Sequence, residues 1–186
     1  MKDLVHCFAD VIKQKDTERI KNGTFHAGIG SFEEEHHLDF LEEKLPSIQR
    51  EIEYNESSEE CDLKYNNNGK DYYIEFKLCR PYKNNGKIEE FFYKTIFSPF
   101  DKNTLMTDVN KLFNSTFVGE KVIMFVYYEK AENENPLLTS NNIIDKIITD
   151  AKLWYNINLR VLVRTSIENL VHPIHQRAEL VTLIKE

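Results

Sequence analysis

The stretch Cys61–Leu78, CDLKYNNNGKDYYIEFKL, decides how the rest of the chain is read. Two runs, 61–65 and 71–78, flank Asn66-Asn67-Asn68-Gly69, whose glycine suits the positive φ of a tight turn, so the stretch is a β-hairpin. On the second run Ile74, Phe76 and Leu78 point to one face and Tyr73, Glu75 and Lys77 to the other. Glu75 and Lys77 therefore share a face. On the first run Asp62 has the opposite parity to Cys61 and Leu63, and a suitable register sets it alongside Glu75.

Upstream, Ile48, Arg50, Ile52 and Tyr54 alternate with Gln49, Glu51 and Glu53, a further strand that completes a three-stranded antiparallel meander. Before it, Ser31-x-x-Glu34 has the form of a capping box. Leu38, Leu41 and Leu45 follow at helical spacing to Pro46, predicting a helix over 32–45. Leu4, Phe8, Val11 and Ile12 predict an amphipathic helix from residue 3 to about 20, closed near Asn22-Gly23 and packed as an outer cover.

Downstream, 81–102 is aromatic, basic and rich in turn residues, with no clean period. Asn103-Thr104 then opens a short helix carrying Leu105, Val109, Leu112 and Phe113. Lys121–Tyr128 is almost continuously apolar, the pattern of a central strand covered on both faces. A polar loop at Glu132–Pro136 leads to a helix capped by Ser140 and burying Ile143, Ile144, Ile147, Ile148 and Ala151; 159–165 is a strand. Pro173 suits the first turn of a last helix with Ile174, Ala178, Val181 and Ile184 on one face. The expected class is α/β, a mixed β-sheet flanked by helices. The 186 residues form one domain: an N-terminal helix (1–22), a motif-bearing core (32–128) and a C-terminal α-β-α extension (139–186).

Composition narrows the function. With 41% hydrophobic and 30% charged residues the chain is neither disordered nor fibrous, and no apolar run is long enough to cross a bilayer. The N-terminus has no uninterrupted apolar signal segment, so a cytoplasmic location is expected, with no membrane partner. Cys7, Cys61 and Cys79 are too few and too far apart for a disulfide framework or a zinc site and read as reduced thiols. A net charge of −7 excludes a protein that coats nucleic acid by bulk charge. It leaves room for a local basic face, and Arg80, Lys83, Lys87 and Lys94 are the candidate nucleic-acid-binding side chains.

Two carboxylates and an amine on one face suit a hard divalent cation, which takes one or two protein carboxylates and fills its remaining positions with water and substrate phosphate. Asp62 and Glu75 are the candidate ligands of Mg²⁺ or Mn²⁺, and Lys77 is placed to position or help deprotonate an attacking water and to offset charge on phosphorus. Asp62, a twelve-residue spacer and then Glu75-Phe76-Lys77 resembles the signature of the PD-(D/E)xK nuclease superfamily, with Cys61 in place of the usual proline. The resemblance covers residues 32–128. It implies the restriction-endonuclease-like core order α-β-β-β-α-β and a metal-dependent endonuclease of restriction, defence or repair type. It also implies DNA before RNA as substrate, a homodimer where both strands are cut, and an added acid from the helix before the meander. Glu34 is the choice for that acid, as a supporting catalytic residue and third metal ligand beside Asp62 and Glu75, with Glu33 and Glu35 as close competitors. The alternative is a catalytically silent module of the same fold that binds nucleic acid or a protein through this face.

Blander roles stand beside these. Glu75 and Lys77 also suit a solvated same-face ion pair, and Glu34 the last position of a capping box. His36 and His37 point about 100° apart and are expected at the surface. His172 and His175 lack local zinc partners. Tyr82, Phe91, Phe92, Tyr93, Phe97 and Phe100 suit a core before a base-stacking surface.

Overall fold

Asn68 and Gly69 adopt φ of 53° and 81°. Two successive positive φ values are what a two-residue hairpin loop matching strand twist requires, and they turn strand β2 (Glu60–Asn67) directly into β3 (Lys70–Cys79). In the computed structural model, which describes residues 1–131 and 135–186, β1 (Gln49–Glu53) pairs antiparallel with β2, giving the expected meander. The expected loop at 132–136 falls, at 132–134, outside the described residues.

The chain then crosses over through α3 (Phe92–Phe97) and α4 (Leu105–Asn114) to β4 (Glu120–Glu129), which lies parallel to β3. After α5 (Ser140–Tyr155), strands β5 (Leu159–Ile167) and β6 (Arg177–Lys185) complete a six-stranded mixed sheet in the order β1-β2-β3-β4-β6-β5. Helices α1 (Lys2–Thr17) and α2 (Glu34–Lys44) cover one face, where Phe8, Ile12 and Leu41 meet Ile74, Phe76 and Val126. On the other face Ile96, Leu112 and Ile147 of α3, α4 and α5 pack on Ile123, Phe125 and Val181. Each fully buried aliphatic or aromatic side chain contributes about 1.5–3 kcal/mol, so the central strands are held from both sides.

The expected C-terminal helix is a strand. Residues 178–184 read AELVTLI; Ala178, Leu180 and Ile184 enter one core and Val181 and Leu183 the other. On a strand covered on both faces polar residues do not alternate with apolar ones: Glu179 and Thr182 are buried and three apart, so the apolar residues also satisfy a helical spacing. Inserted between β4 and β5, β6 is antiparallel to both.

A buried polar tie closes the α1–α2 face. The carboxylate of Asp16, fully buried, accepts N–H bonds from Ile29 (3.2 Å) and Val171 (2.8 Å). Gly28 sits there at φ +107°, and a Cβ on it would lie 2.7 Å from Asp16 Oδ1 and 2.8 Å from the His172 nitrogen. Gly28→Ala meets both backbone strain and overlap and is expected to lower stability by about 2 kcal/mol or more in urea denaturation; an unchanged midpoint would show that this loop adapts freely.

Candidate active site

The site forms where β2 peels away from β3. The β2–β3 ladder ends at the Leu63–Ile74 pair. The β1–β2 ladder pairs Arg50 with Leu63 and Ile52 with Cys61 but skips the level of Glu51 and Asp62, and Glu51 there has φ +55°. A non-glycine residue in that region carries backbone strain, which the flanking pairs on either side hold in place. Opening the ladder leaves N–H groups of β3 facing the gap, and carboxylates take them: Phe76 N–H donates to Asp62 Oδ2 and Leu78 N–H to Glu34 Oε2, both at 2.7 Å.

Glu34 is therefore turned onto β3 from the first turn of α2. The capping-box expectation fails, because α2 begins after Glu33 with no side-chain cap and Ser31 Oγ donates to the Gly28 carbonyl instead. Glu33 faces Arg80 at 2.7 Å. Of the three neighbouring acids, only Glu34 reaches Lys77, whose Nζ lies 3.3 Å from both Glu34 Oε1 and Asp108 Oδ2.

Helix α4 supplies two side chains that the sequence reading did not single out, Asp108 and Lys111. Lys111 Nζ is 3.0 Å from Glu75 Oε1 and 3.7 Å from Asp108 Oδ1. Tyr54, just past β1, donates its hydroxyl to the same Glu75 oxygen. Their signal was present: residues three apart on the helix, interleaved with Leu105, Val109 and Leu112, yet both aimed at the sheet. Glu75 is 3% exposed, so it is no solvated face residue.

Burial pushes the carboxyls of Glu34, Glu75 and Asp108 above their ordinary range, and the negative charge of Asp62 adds to the rise at all three. Burial opposes the Lys77 ammonium, but Asp108, Glu34 and Asp62 together overcome it and hold its pKa above the ordinary lysine value. Four carboxylates thus surround two ammonium groups. They line a cavity of about 450 Å³ whose walls carry seven acids and only the bases Arg50, Lys77 and Lys111. Asp62 and Glu75 offer the hard oxygen donors that a magnesium-like ion takes in pairs, and a divalent cation would offset part of the excess of acids over bases. Among the described residues, no three His, Cys, Asp or Glu side chains are grouped closely enough to hold a metal by themselves.

The proposed basic face divides. Arg80 and Lys83 line an adjoining cleft, with Arg80 also bound to the carbonyls of Gly30 and Phe32. Lys87 and Lys94 line neither cavity, and Lys94 pairs with Asp101 at 3.1 Å. Among the aromatics, Tyr82, Phe92 and Phe97 are buried while Phe91, Tyr93 and Phe100 are exposed. His36 is exposed as expected, but His37 is fully buried, as are His172 and, at 1% exposure, His175. All three cysteines are free thiols. Among the described residues no helix is long and apolar enough to cross a membrane. Comparison with protein-family models, with curated proteins and with solved structures returned no match.

Proposed function

We propose that this chain is a divalent-metal-dependent nuclease of the restriction-endonuclease-like fold that hydrolyses phosphodiester bonds by direct attack of water. The observation that carries the reading is the convergence of Asp62, Glu75, Lys77 and Glu34 on one cavity at the point where the ladder opens. The order α2-β1-β2-β3-α3-α4-β4, with β3 and β4 parallel, supports the core order that the motif implies, α3 being a short addition to the crossover.

Mg²⁺ or Mn²⁺ held by Asp62 and Glu75 would polarise the phosphate and acidify a water. The chain's own groups divide the remaining work. Lys77, kept protonated by its three acidic neighbours, donates hydrogen bonds to the water and to the charge growing on phosphorus instead of acting as a base. Glu34, 3.3 Å from the Lys77 ammonium and raised in pKa by burial, is the better proton acceptor for the attacking water. Lys111 and Tyr54 hold the Glu75 carboxylate through its Oε1. DNA is the first substrate to consider, RNA the second, and a homodimer would bring two such sites to a duplex.

Purified protein is to be incubated with plasmid, linear duplex, single-stranded DNA and RNA in Mg²⁺, Mn²⁺ or EDTA. Cleavage that requires metal and falls at least about 100-fold in Asp62→Asn is the expected result. A second reading, a silent module that binds nucleic acid or protein through this face, is favoured by one observation: Glu75, Asp62 and Glu34 each already have a protein partner. Binding that survives Asp62→Asn with no cleavage under any metal would establish that reading instead.

A further inference from the structure

The acidic cavity does not end at the catalytic residues. A larger cleft of about 590 Å³ adjoins it and shares Glu34, Lys77 and Asn103 with it. That volume lies within the roughly 300–1,000 Å³ typical of clefts that enclose a cofactor-sized ligand. Its outer wall is a short hairpin in which Tyr82 bridges to Ile88 and Lys83 N–H donates to the Lys87 carbonyl at 2.8 Å, closed by Gly86 at φ +81°. Phe25, 49% exposed, also lines the cleft. The lining also carries Lys83, Asn84 and Asn85; the asparagine oxygens are taken by His175 Nε2 (3.2 Å) and the Lys87 N–H (3.1 Å), so the pocket offers a ring, a cation and amide N–H donors.

We propose that this cleft is a nucleotide subsite that takes one unstacked nucleotide next to the scissile phosphate, so that the substrate is single-stranded, or locally unpaired, nucleic acid. The proposal rests on the nuclease reading and deepens it. A flat-lying base meets a ring that solvent otherwise half covers, and its edge meets the asparagine amides. A paired base in a duplex has neither face exposed and cannot enter a cleft of this size without leaving its stack. Charge points the same way. Duplex binding rests on many neutralised phosphates, yet the chain carries −7 overall and Lys83 is the one cleft cation whose acidic neighbours, Glu89 and Glu90, stand as far off as 3.8 Å. A few phosphates held close to the cut suffice for a single strand gripped by stacking.

Fluorescence anisotropy, with Ca²⁺ replacing Mg²⁺, is to compare a single strand with the same sequence as a blunt duplex, in DNA and in RNA; the tighter single strand identifies the sugar. The single strand is expected to bind at least tenfold tighter than the duplex. Loss of one base–ring stack in Phe25→Ala is expected to weaken it about 5- to 150-fold, and Lys83→Ala to reduce the salt dependence by about one phosphate contact. Equal affinity for duplex, or Phe25→Ala indistinguishable from the parent, overturns the subsite. Cleavage in Mg²⁺ is scored on the same oligonucleotides: selective single-strand binding without cutting overturns the nuclease reading and leaves the subsite standing, whereas preferential cutting of duplex does the reverse.

Discussion

Glu75→Gln is expected to abolish metal-dependent cleavage, by about 1,000-fold or more, while raising the melting temperature by about 2–4 °C. The first half follows from the donor set. Gln keeps the shape of the side chain and its bond to the Tyr54 hydroxyl but removes the charge that a hard cation needs, leaving Asp62 as the only ligand from the sheet. The second half follows from the sign of the pKa shift. Burial, Asp62 and Asp108 raise the folded-state pKa of Glu75 above its unfolded value. Above the ordinary carboxylate range this group therefore costs the fold stability, and the cost disappears only below that range, where both folded and unfolded states are protonated. Neutralising the group recovers of order 1 kcal/mol, which for a chain of this length is about 2–4 °C.

The opposite pattern belongs to a structural ion pair. If Glu75 served only to neutralise Lys111, its loss would leave a half-buried ammonium short of a partner and lower the melting temperature. Here Lys111 retains Asp108 at 3.7 Å and Glu59 at 4.0 Å. A Glu75→Gln protein that melts lower and still cleaves would refute the catalytic assignment. Sites that trade stability for chemistry gather like charges in this way, and the trade is visible as a stabilised, inactive variant.

How much of this was legible in the sequence depends on how local the determinants are. The hairpin and the shared face of Glu75 and Lys77 follow from a turn signal and a two-residue period, both readable within a few residues. Glu34 was named, but its two roles differ only in where its side chain is turned, and the opened ladder that supplies the Leu78 N–H is a tertiary fact. Asp108 and Lys111 come to Glu75 through a crossover of about forty residues whose path no period describes, so their polar spacing on α4 carried no address. β6 was misread because full burial on two faces erases the alternation that identifies a strand. His37 was misread for a related reason: a polar side chain can lie in a core when both of its ring nitrogens are matched, and the matching partner, Tyr128, is remote in sequence.

That matching makes the fold acid-labile, and a cooperative acid transition between about pH 5 and 4 is expected. His37 Nδ1–H donates to the Glu33 carbonyl at 2.9 Å and Nε2 accepts from the Tyr128 hydroxyl at 2.8 Å, an arrangement complete only for the neutral ring. Burial pushes its pKa down to about 4. Nδ1 of His172 accepts N–H bonds from Ile174 and His175, both at 3.2 Å, and that ring is also held down to about 4 by burial first and by His26 and Arg80 after it. His175 stacks on His172 with centroids 4.7 Å apart and is pushed down to about 2 by burial, His172 and Arg80. Below an unfolded value near 6.5 the unfolded chain binds protons that the folded chain refuses, so stability is lost as pH falls. Each histidine contributes about 1.4 kcal/mol per pH unit in that window, so the three together remove about 10 kcal/mol between pH 6.5 and 4, comparable with an ordinary domain stability of about 5–15 kcal/mol. The raised carboxyls of Glu34, Glu75 and Asp108 work in the opposite direction, because they bind protons in the folded state first, and they shallow the slope. Urea denaturation from pH 7 to 4.5 isolates the histidine share: His37→Gln should reduce the pH slope by about one proton, 1.4 kcal/mol per unit, whatever it does to stability at pH 7. A slope unchanged in that variant would mean that His37 titrates normally, and the His37–Tyr128 bond could then not be what fixes α2, and with it Glu34, against the sheet.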